Sequence, residues 1–187
     1  MPADTWTEDR LVRECLKGSD EAWSALVERY KNLVYSIPLK HGITGDDASD
    51  IFQSVFFELL SHLGTIRNPK ALPMWLIQTA SHKCLHFRKQ QGRFSPMIDD
   101  ADEMEDPATG SMLEETLAEW ERERMVERAM TELPERCRKL VEMLFYEIPP
   151  RPYEQVAQDL GLALGSIGFI RGRCLDKMRK SLTKAGL

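Results

Sequence analysis

The sequence predicts an all-α protein made of two small helical domains joined by an acidic linker. Apolar residues recur at three- and four-residue steps along most of the 187 residues, and no stretch shows the sustained alternation of a β-strand. The net negative charge of the chain comes from one segment, which separates two helical patterns. We therefore assign residues 1–91 to an N-terminal four-helix bundle, 92–119 to the linker and 120–187 to a C-terminal domain.

Four amphipathic helices are predicted in the N-terminal bundle. Thr7 and Ser19 precede the first two apolar runs, and a hydroxyl at that position can accept a hydrogen bond from the first helical turn. We expect the second helix to end at Pro38, because a proline ring clashes with the preceding turn. A third helix begins near Asp46, and a fourth follows a loop at 64–69.

Four shorter helices are predicted after the linker, at 125–133, 134–146, 153–160 and 165–182. The proline-rich run 148–152 separates the second of these from the third, because proline disfavours a helical conformation in the residue before it. The C-terminal domain is therefore expected to consist of two pairs of helices.

The formal net charge of −5 conceals an uneven distribution of charge along the chain. Residues 99–123 contain eleven acidic residues and one basic residue, so this segment should repel itself and stay extended. In contrast, residues 59–98 carry a charge of +6 with no Asp or Glu, and residues 151–187 carry +4. Two cationic regions are compatible with a nucleic-acid partner, although a solvated surface would have the same charges.

The composition disfavours several classes of protein. No apolar run approaches the roughly 20 residues of a membrane helix, and the N-terminus lacks the pattern of a secretory signal, so no membrane insertion is expected. The four cysteines have no paired spacing, which predicts neither a disulfide framework nor a zinc module in a reduced, cytoplasmic protein. No nucleophile–His–carboxylate arrangement or phosphate-binding glycine loop occurs, so we predict no enzymatic activity, no catalytic residue and no cofactor.

A metal site is one interpretation of His82, Cys84 and His86, because histidines four residues apart share a helix face. No complementary ligand pair occurs elsewhere, and the surrounding charges are positive. We favour a polar surface that faces DNA and predict no metal.

Residues 153–182 have the pattern of a helix-turn-helix. Ala157 is small where the two helices would cross, Gly161 can adopt the left-handed conformation of a tight turn, and Leu164 and Ile167 are placed to bury the second helix against the first. The second helix then presents a basic face, formed by Arg171, Arg173, Lys177, Arg179 and Lys180. This combination favours a DNA-recognition unit over an ordinary helical hairpin.

Two glycines interrupt the proposed recognition helix, at Gly168 and Gly172. Each weakens a helix by about 1 kcal/mol relative to Ala. Either they let the helix backbone approach phosphates closely, or they mark a weak start to the helix that becomes ordered on DNA.

Four motifs, taken in order, resemble those of the extracytoplasmic-function (ECF) sigma factors of bacterial RNA polymerase. The run DASDIFQSVFF at 47–57 resembles the polymerase-binding helix of that family, and RNPKALPMWLIQTA at 67–80 resembles its segment that opens and reads the minus-ten element. The run LPERCR at 133–138 resembles the start of the promoter-binding domain. Residues 153–182 resemble its helix-turn-helix, which binds the minus-thirty-five element.

The resemblance implies three sets of site residues. Contacts with core polymerase are implied for Asp47, Asp50, Gln53 and Phe56. Contacts with minus-ten DNA are implied for Arg67, Asn68, Lys70, Lys83, Arg88 and Lys89. Contacts with minus-thirty-five DNA are implied for Ser166, Gly168, Phe169, Arg171, Arg173 and Lys177. Trp75, beside the minus-ten set, is interpreted as a core residue rather than a stacking platform.

The implied function is promoter recognition and DNA opening with core RNA polymerase, and the implied partners are that enzyme, promoter DNA and an anti-sigma factor. The linker resembles the family's connector through the polymerase cleft, or it is a spacer without a specific role. The alternative function is a helix-turn-helix regulator or adaptor that has the sigma shape but does not open promoters.

Overall fold

The computed structural model describes residues 6–92 and 107–187, and every regular element in these ranges is helical. The all-α fold class predicted from the sequence is therefore confirmed. Contacts divide the chain into two compact units, Met1–Ala118 and Glu119–Leu187, which are described separately below. Within the described ranges no helix is both long enough and apolar enough to cross a membrane.

Four helices form the body of the N-terminal unit: α1 (Glu8–Leu16), α2 (Asp20–Lys40), α3 (Gly45–His62) and α4 (Leu72–Gln90). Two short 3₁₀ turns connect α3 to α4. α2 is the central helix and packs against each of the other three. The fully buried side chains include Leu26, Tyr30, Val34 and Ile37 of α2, Val55 and Leu59 of α3, and Leu76 and Ile77 of α4.

The predicted caps of α1 and α2 are confirmed. The hydroxyl of Thr7 accepts a hydrogen bond from the backbone N–H of Arg10 at 3.3 Å, and the hydroxyl of Ser19 accepts one from Ala22 at 3.2 Å. These bonds satisfy N–H groups that have no partner within the helix.

The predicted end of α2 at Pro38 is wrong, because the helix continues to Lys40. Pro38 lies in the last turn, where its missing N–H removes only one helical hydrogen bond. Its carbonyl accepts from the N–H of Ile43 at 2.8 Å, and the proline itself is buried. Burial of the ring therefore offsets the lost bond.

A fifth helix, α5 (Pro107–Glu132), begins inside the predicted linker. The extended conformation expected for the acidic segment is therefore wrong from Pro107 onward, and the predicted helix 125–133 begins 18 residues earlier than expected. The acidic residues at 99–106 lie outside the described residues. Thr116 is buried, and Lys40 donates a hydrogen bond to its hydroxyl at 2.8 Å. This packing outweighs the repulsion between carboxylates on the exposed side of α5.

The remaining helices of the C-terminal unit are α6 (Glu135–Val141), α7 (Tyr153–Leu160) and α8 (Ile167–Ala185). The predicted helix 134–146 divides into α6 and a π-helical turn, Glu142–Tyr146. One core cluster joins α6 to α7 and α8 through Leu140, Leu144, Val156, Ala157 and Ile167. A second cluster joins the end of α5 to α6 and α8.

A disulfide bond joins Cys137 on α6 to Cys174 on α8. The prediction that the cysteines are unpaired and reduced is therefore wrong for this pair. The two residues are 37 positions apart in sequence, so only the packing of α6 against α8 brings their Cα atoms to 5.3 Å. Cys15 and Cys84 are free thiols.

Candidate functional site

One exposed stripe runs along α3, and we call it the α3 stripe. Its members follow one another at steps of three and four residues, which places them on one helix face: Asp46, Asp50, Gln53, Phe57 and Leu60. Phe57 is 70% exposed and Leu60 is 60% exposed. The opposite face of α3 is buried in the bundle. The stripe therefore combines carboxylates, an amide and open apolar side chains.

Two of the predicted polymerase contacts, Asp50 and Gln53, lie on the α3 stripe, whereas the other two do not. Phe56 is 6% exposed, and its ring packs against those of Phe52 and Trp23 at centroid distances of 4.9 and 6.5 Å. Phe56 is therefore a core residue in this structure, and its implied contact with polymerase stays a prediction. Asp47 is exposed but lies beside the stripe, at the edge of a groove.

Phe57 and Leu60 were missed by the sequence reasoning. A helical projection from Asp50 and Gln53 would have found them, because four residues after Gln53 is Phe57 and three further is Leu60. The adjacent Phe56 and Phe57 differ by about 100° around the helix axis, which separates a buried side chain from an exposed one.

A groove of about 660 Å³ lies between α3 and α4. Acidic side chains line the α3 side (Asp47, Asp50 and Glu58), and basic or imidazole side chains line the α4 side (His82, Lys83, His86 and Lys89). The ammonium of Lys83 lies 2.6 Å from a carboxylate oxygen of Glu58. Lys83 therefore spans the groove and is paired with α3.

The other predicted minus-ten residues surround the start of α4 and its last turn. Arg67 and Lys70 are exposed, and the side-chain oxygen of Asn68 accepts from the N–H of Lys70 at 3.1 Å. Arg88 is half-buried and Lys89 is exposed. The structure thus brings Lys83 and Lys89 to one groove, and it places Arg67, Asn68 and Lys70 on a separate loop.

Trp75 is half-buried on α4, and its ring lies 6.3 Å from that of His62. Part of the indole therefore remains open beside the loop that carries Arg67. The exposure of Trp75 is therefore intermediate between that of a core residue and that of an open stacking platform.

Ser81 and Cys84 are buried on the inner face of α4, and His41 lies beside Ser81. The ring of His41 shares a hydrogen bond with the hydroxyl of Ser81 at 3.2 Å. Burial, together with the positive charge of Arg88, lowers the pKa of His41. Burial raises the pKa of the Cys84 thiol to about 12. Cys84 is buried whereas His82 and His86 are exposed, so the thiol and the two imidazoles lie on different faces of α4.

The helix-turn-helix has the geometry that its sequence predicts, with one exception. Gly161 ends α7 with φ of +59°, a left-handed conformation that suits glycine. Ala157 and Ile167 are buried where the two helices meet. The exception is Leu164, which is 49% exposed because it lies on a 3₁₀ turn before α8.

Two of the predicted DNA-binding arginines of α8 contact aromatic side chains. Arg171 donates a hydrogen bond to the hydroxyl of Tyr153 at 2.5 Å, and the guanidinium of Arg173 lies 5.8 Å from the ring centroid of Phe169. Phe169 is itself 70% exposed. The remaining members of the set are exposed or half-exposed at Ser166, Gly168 and Lys177. All six predicted minus-thirty-five contacts therefore lie on α8 or at the residue just before it.

Comparison with known proteins finds a family match within the N-terminal unit and relatives that align with most of the chain. The family Sigma-70 region 2 matches residues 26–94, which include α3, the groove and α4. The ECF RNA polymerase sigma-E factor of Escherichia coli K12 is 28% identical over 168 residues, which cover 86% of each chain. RNA polymerase sigma factor SigV of Bacillus subtilis is 25% identical over 158 residues, covering 84% of this chain and 89% of SigV.

Two solved structures align with most of the chain at low TM-scores. One is the RsbN–BldN complex, with a TM-score of 0.37, 15% identity, and coverage of 90% of this chain and 97% of the other. The second is CnrH in complex with the cytosolic domain of CnrY, with a TM-score of 0.39, 19% identity, and coverage of 97% and 100%. Residues 26–94 belong to the Sigma-70 region 2 family, and the chain is similar to extracytoplasmic-function sigma factors over most of its length.

Proposed function

We propose that this chain binds core RNA polymerase, recognises the minus-thirty-five and minus-ten promoter elements, and promotes DNA opening for transcription initiation. Residues 1–91 would bind polymerase and the minus-ten strand, and residues 120–187 would bind the minus-thirty-five duplex. The bond-forming chemistry would belong to the polymerase, so the chain would act without a catalytic residue or cofactor of its own.

The α3 stripe is the observation that carries this proposal. Its carboxylates would repel DNA phosphates, whereas an acidic and apolar surface suits a protein partner with a basic face. Phe57 and Leu60 supply the open apolar area from which binding hot spots are commonly built. A regulator that bound only DNA would have no need for this exposed surface.

The proposed DNA contacts lie on cationic elements of both units. On α4, Lys83, Arg88 and Lys89 would bind phosphates of the melted strand, and the loop with Arg67, Asn68 and Lys70 would hold an unpaired base. On α8, the side chains around Arg171 and Arg173 would reach the major groove of the duplex. Phosphate contacts predict a strong dependence of affinity on salt concentration.

An anti-sigma protein is proposed as the inhibitory partner, and the cytoplasm as the place of action, since core polymerase works there. A competitor for the α3 stripe would have to bury Phe57 and Leu60 and pair with the carboxylates at Asp46 and Asp50. The binding surface of that competitor would therefore be basic and apolar, like the polymerase surface that binds the same stripe.

Abortive transcription with core polymerase on a promoter library tests the proposal. We expect initiation above the level of core polymerase alone, from a subset of promoters that share two sequence elements. No gain over core polymerase would contradict the proposal.

Substitutions on the α3 stripe separate a sigma factor from a regulator of the same shape. We expect Asp50→Ala with Gln53→Ala to abolish polymerase binding measured by gel filtration, while duplex DNA binding is retained. The matched control is Asp9→Ala, which removes an exposed carboxylate from α1. Unchanged polymerase binding in the double variant would favour the regulator or adaptor.

A further inference from the structure

The cysteine pair Cys137–Cys174 joins the first helix of the C-terminal core to the proposed recognition helix. The Cα atoms lie 5.3 Å apart, within the range that an unforced disulfide requires. The bond closes a long segment of chain that contains α7 and the turn of the helix-turn-helix. It therefore constrains the whole DNA-recognition unit rather than a local loop.

The bond lies inside the protein. Cys174 is 1% exposed and Cys137 is 9% exposed, and they share a core cluster with Met130, Leu133 and Val141. The side chains of Ile170 and Met178, one turn to either side of Cys174 on α8, pack against the same cluster. Cys174 is thus the covalent link between the middle of α8 and α6, in addition to these apolar contacts.

The helix that this bond holds has a weak first half. Gly168 and Gly172 have open space where a Cβ atom would lie, so packing does not require glycine at either position. Each glycine shifts the local helix–coil equilibrium about fivefold toward coil relative to Ala. Because Cys174 follows Gly172 by two residues, the disulfide fixes α8 just beyond its weakest part.

We propose that Cys137 and Cys174 form a thiol–disulfide switch that sets how firmly α8 is held on the C-terminal unit and so how tightly it binds duplex DNA. The DNA part of this proposal rests on the proposed function. With the bond formed, α8 is ordered before it meets DNA. With both thiols reduced, the glycine-containing half of α8 opens more often, and DNA binding must supply the ordering free energy.

A low-molecular-weight disulfide such as glutathione disulfide is the oxidant class. The thiolate of Cys137, the more exposed of the two, attacks one sulfur of that disulfide and releases one glutathione thiolate. The thiolate of Cys174 then attacks the Cys137 sulfur and releases the second. Two electrons pass from the protein to glutathione, and the two thiol protons pass to the released glutathione thiolates through water.

The other two cysteines lack a partner thiol for this reaction. Cys15 lies on α1 and Cys84 on α4, and neither is joined to another cysteine. A mixed disulfide with glutathione at either residue would therefore have no second thiol to displace the glutathione, so the linked product is expected only for the pair on α6 and α8.

The first experiment uses the full-length protein without DNA. The chain is equilibrated in glutathione buffers of increasing oxidised fraction, and its peptides are mapped without reduction while thermal unfolding is followed by calorimetry. We expect one linked peptide, Cys137 with Cys174, and a rise of about 10 °C in the unfolding midpoint of the C-terminal unit. No linked peptide, or an unchanged midpoint, would overturn the switch.

Three variants provide controls for this experiment. Cys137→Ser and Cys174→Ser should each abolish the redox-dependent rise, whereas Cys15→Ser should retain it. If Cys174→Ser does not fold, the comparison of oxidised and reduced wild-type protein, which needs no substitution, decides the outcome.

A second experiment measures affinity for the minus-thirty-five duplex selected from the promoter library, with the protein either oxidised or reduced. We expect the oxidised protein to bind about five- to tenfold more tightly and the Cys137→Ser variant to show no difference. Equal affinity in the two states would overturn the switch. No duplex binding in either state would contradict the proposed function and the DNA part of the switch, while the thermal shift would still measure the link between α6 and α8.

Discussion

The ammonium of Lys83 on α4 lies 2.6 Å from the carboxylate of Glu58 on α3, at the side of the groove between these helices. Both side chains are partly exposed, with 25% of the Lys83 side chain and 39% of the Glu58 side chain open to solvent. Lys83 is also a proposed contact for minus-ten DNA. A DNA phosphate would therefore have to compete with Glu58 for the same ammonium.

The substitution Glu58→Gln should strengthen binding of the minus-ten strand by about two- to fivefold. The substitution removes a competing charge that is worth at most about 1 kcal/mol at a partly exposed site. Anisotropy of a labelled minus-ten strand, bound by the complex with core polymerase, measures the effect. Glu28→Gln is the matched control, since it removes the same charge from an ion pair within α2, between Glu28 and Lys31. Equal gains in both variants would show that total charge, rather than release of Lys83, is responsible.

The adjacent residues Phe56 and Phe57 should respond in opposite ways to truncation. Phe57→Ala is expected to change the free energy of unfolding by less than about 0.5 kcal/mol, because the ring is exposed, yet to weaken polymerase binding at least tenfold. Phe56→Ala should lower the free energy of unfolding by about 3 kcal/mol, because a buried aromatic ring is lost.

Urea denaturation and surface plasmon resonance with immobilised core polymerase measure these two effects. Leu60→Ala tests whether the α3 stripe extends by another turn, and it should behave like Phe57→Ala. If Phe57→Ala bound polymerase as tightly as wild type, the apolar part of the stripe would have no role in that interface.

The contrast between Phe56 and Phe57 shows what sequence periodicity could and could not predict. The helices and their caps follow from local spacing, so α1 to α4 were predicted with small errors at their ends. The resemblance implies a polymerase contact for Phe56, whereas its burial depends on Phe52, one turn earlier on α3, and on Trp23, which only the folded bundle brings to it.

Two further differences between the sequence predictions and the structure also arise from long-range contacts. The carboxylates of the acidic segment suggested an extended chain, whereas the hydrogen bond from Lys40 to Thr116 joins residues 76 positions apart. Likewise, no spacing rule predicts that Cys137 and Cys174 meet, because α6 and α8 must first pack. The helix-turn-helix was more predictable, since Ala157 and Gly161 act through neighbouring residues.

Tyr153 should position Arg171 for DNA. The phenol hydroxyl accepts the hydrogen bond from the guanidinium, which lies 5.9 Å from the ring centroid. Tyr153→Phe retains the ring and removes the hydrogen bond, which is worth about 1 kcal/mol. We therefore expect about fivefold weaker binding of the minus-thirty-five duplex in gel-shift titrations, with a normal thermal unfolding midpoint.

A substitution at Tyr146 controls for the loss of a phenol hydroxyl from the same unit, since Tyr146 is exposed on the π-helical turn. Tyr146→Phe should bind the duplex like wild type. Wild-type affinity in Tyr153→Phe as well would show that Arg171 is oriented without help from α7.

His41 should make the N-terminal unit less stable under mildly acidic conditions. Its pKa in the folded protein is below the ordinary value of 6.5, because burial and the charge of Arg88 disfavour the imidazolium. The unfolded chain therefore binds the proton more readily than the folded one. It follows that the free energy of unfolding is highest above pH 6.5 and decreases as the pH falls from 6.5 toward the lower pKa of the folded state.

Urea denaturation between pH 7.5 and 5.5 tests this expectation, because Glu14 and Glu135, whose pKa values are lowered from 4.5, are ionised in the folded and unfolded chains through most of that range. His41→Gln keeps a polar partner near Ser81 but cannot be protonated, so its stability should vary less with pH than that of wild type. His86→Gln, at an exposed position of α4, controls for the loss of an imidazole. If His41→Gln lost stability with acid as steeply as wild type, groups other than His41 would determine the pH dependence.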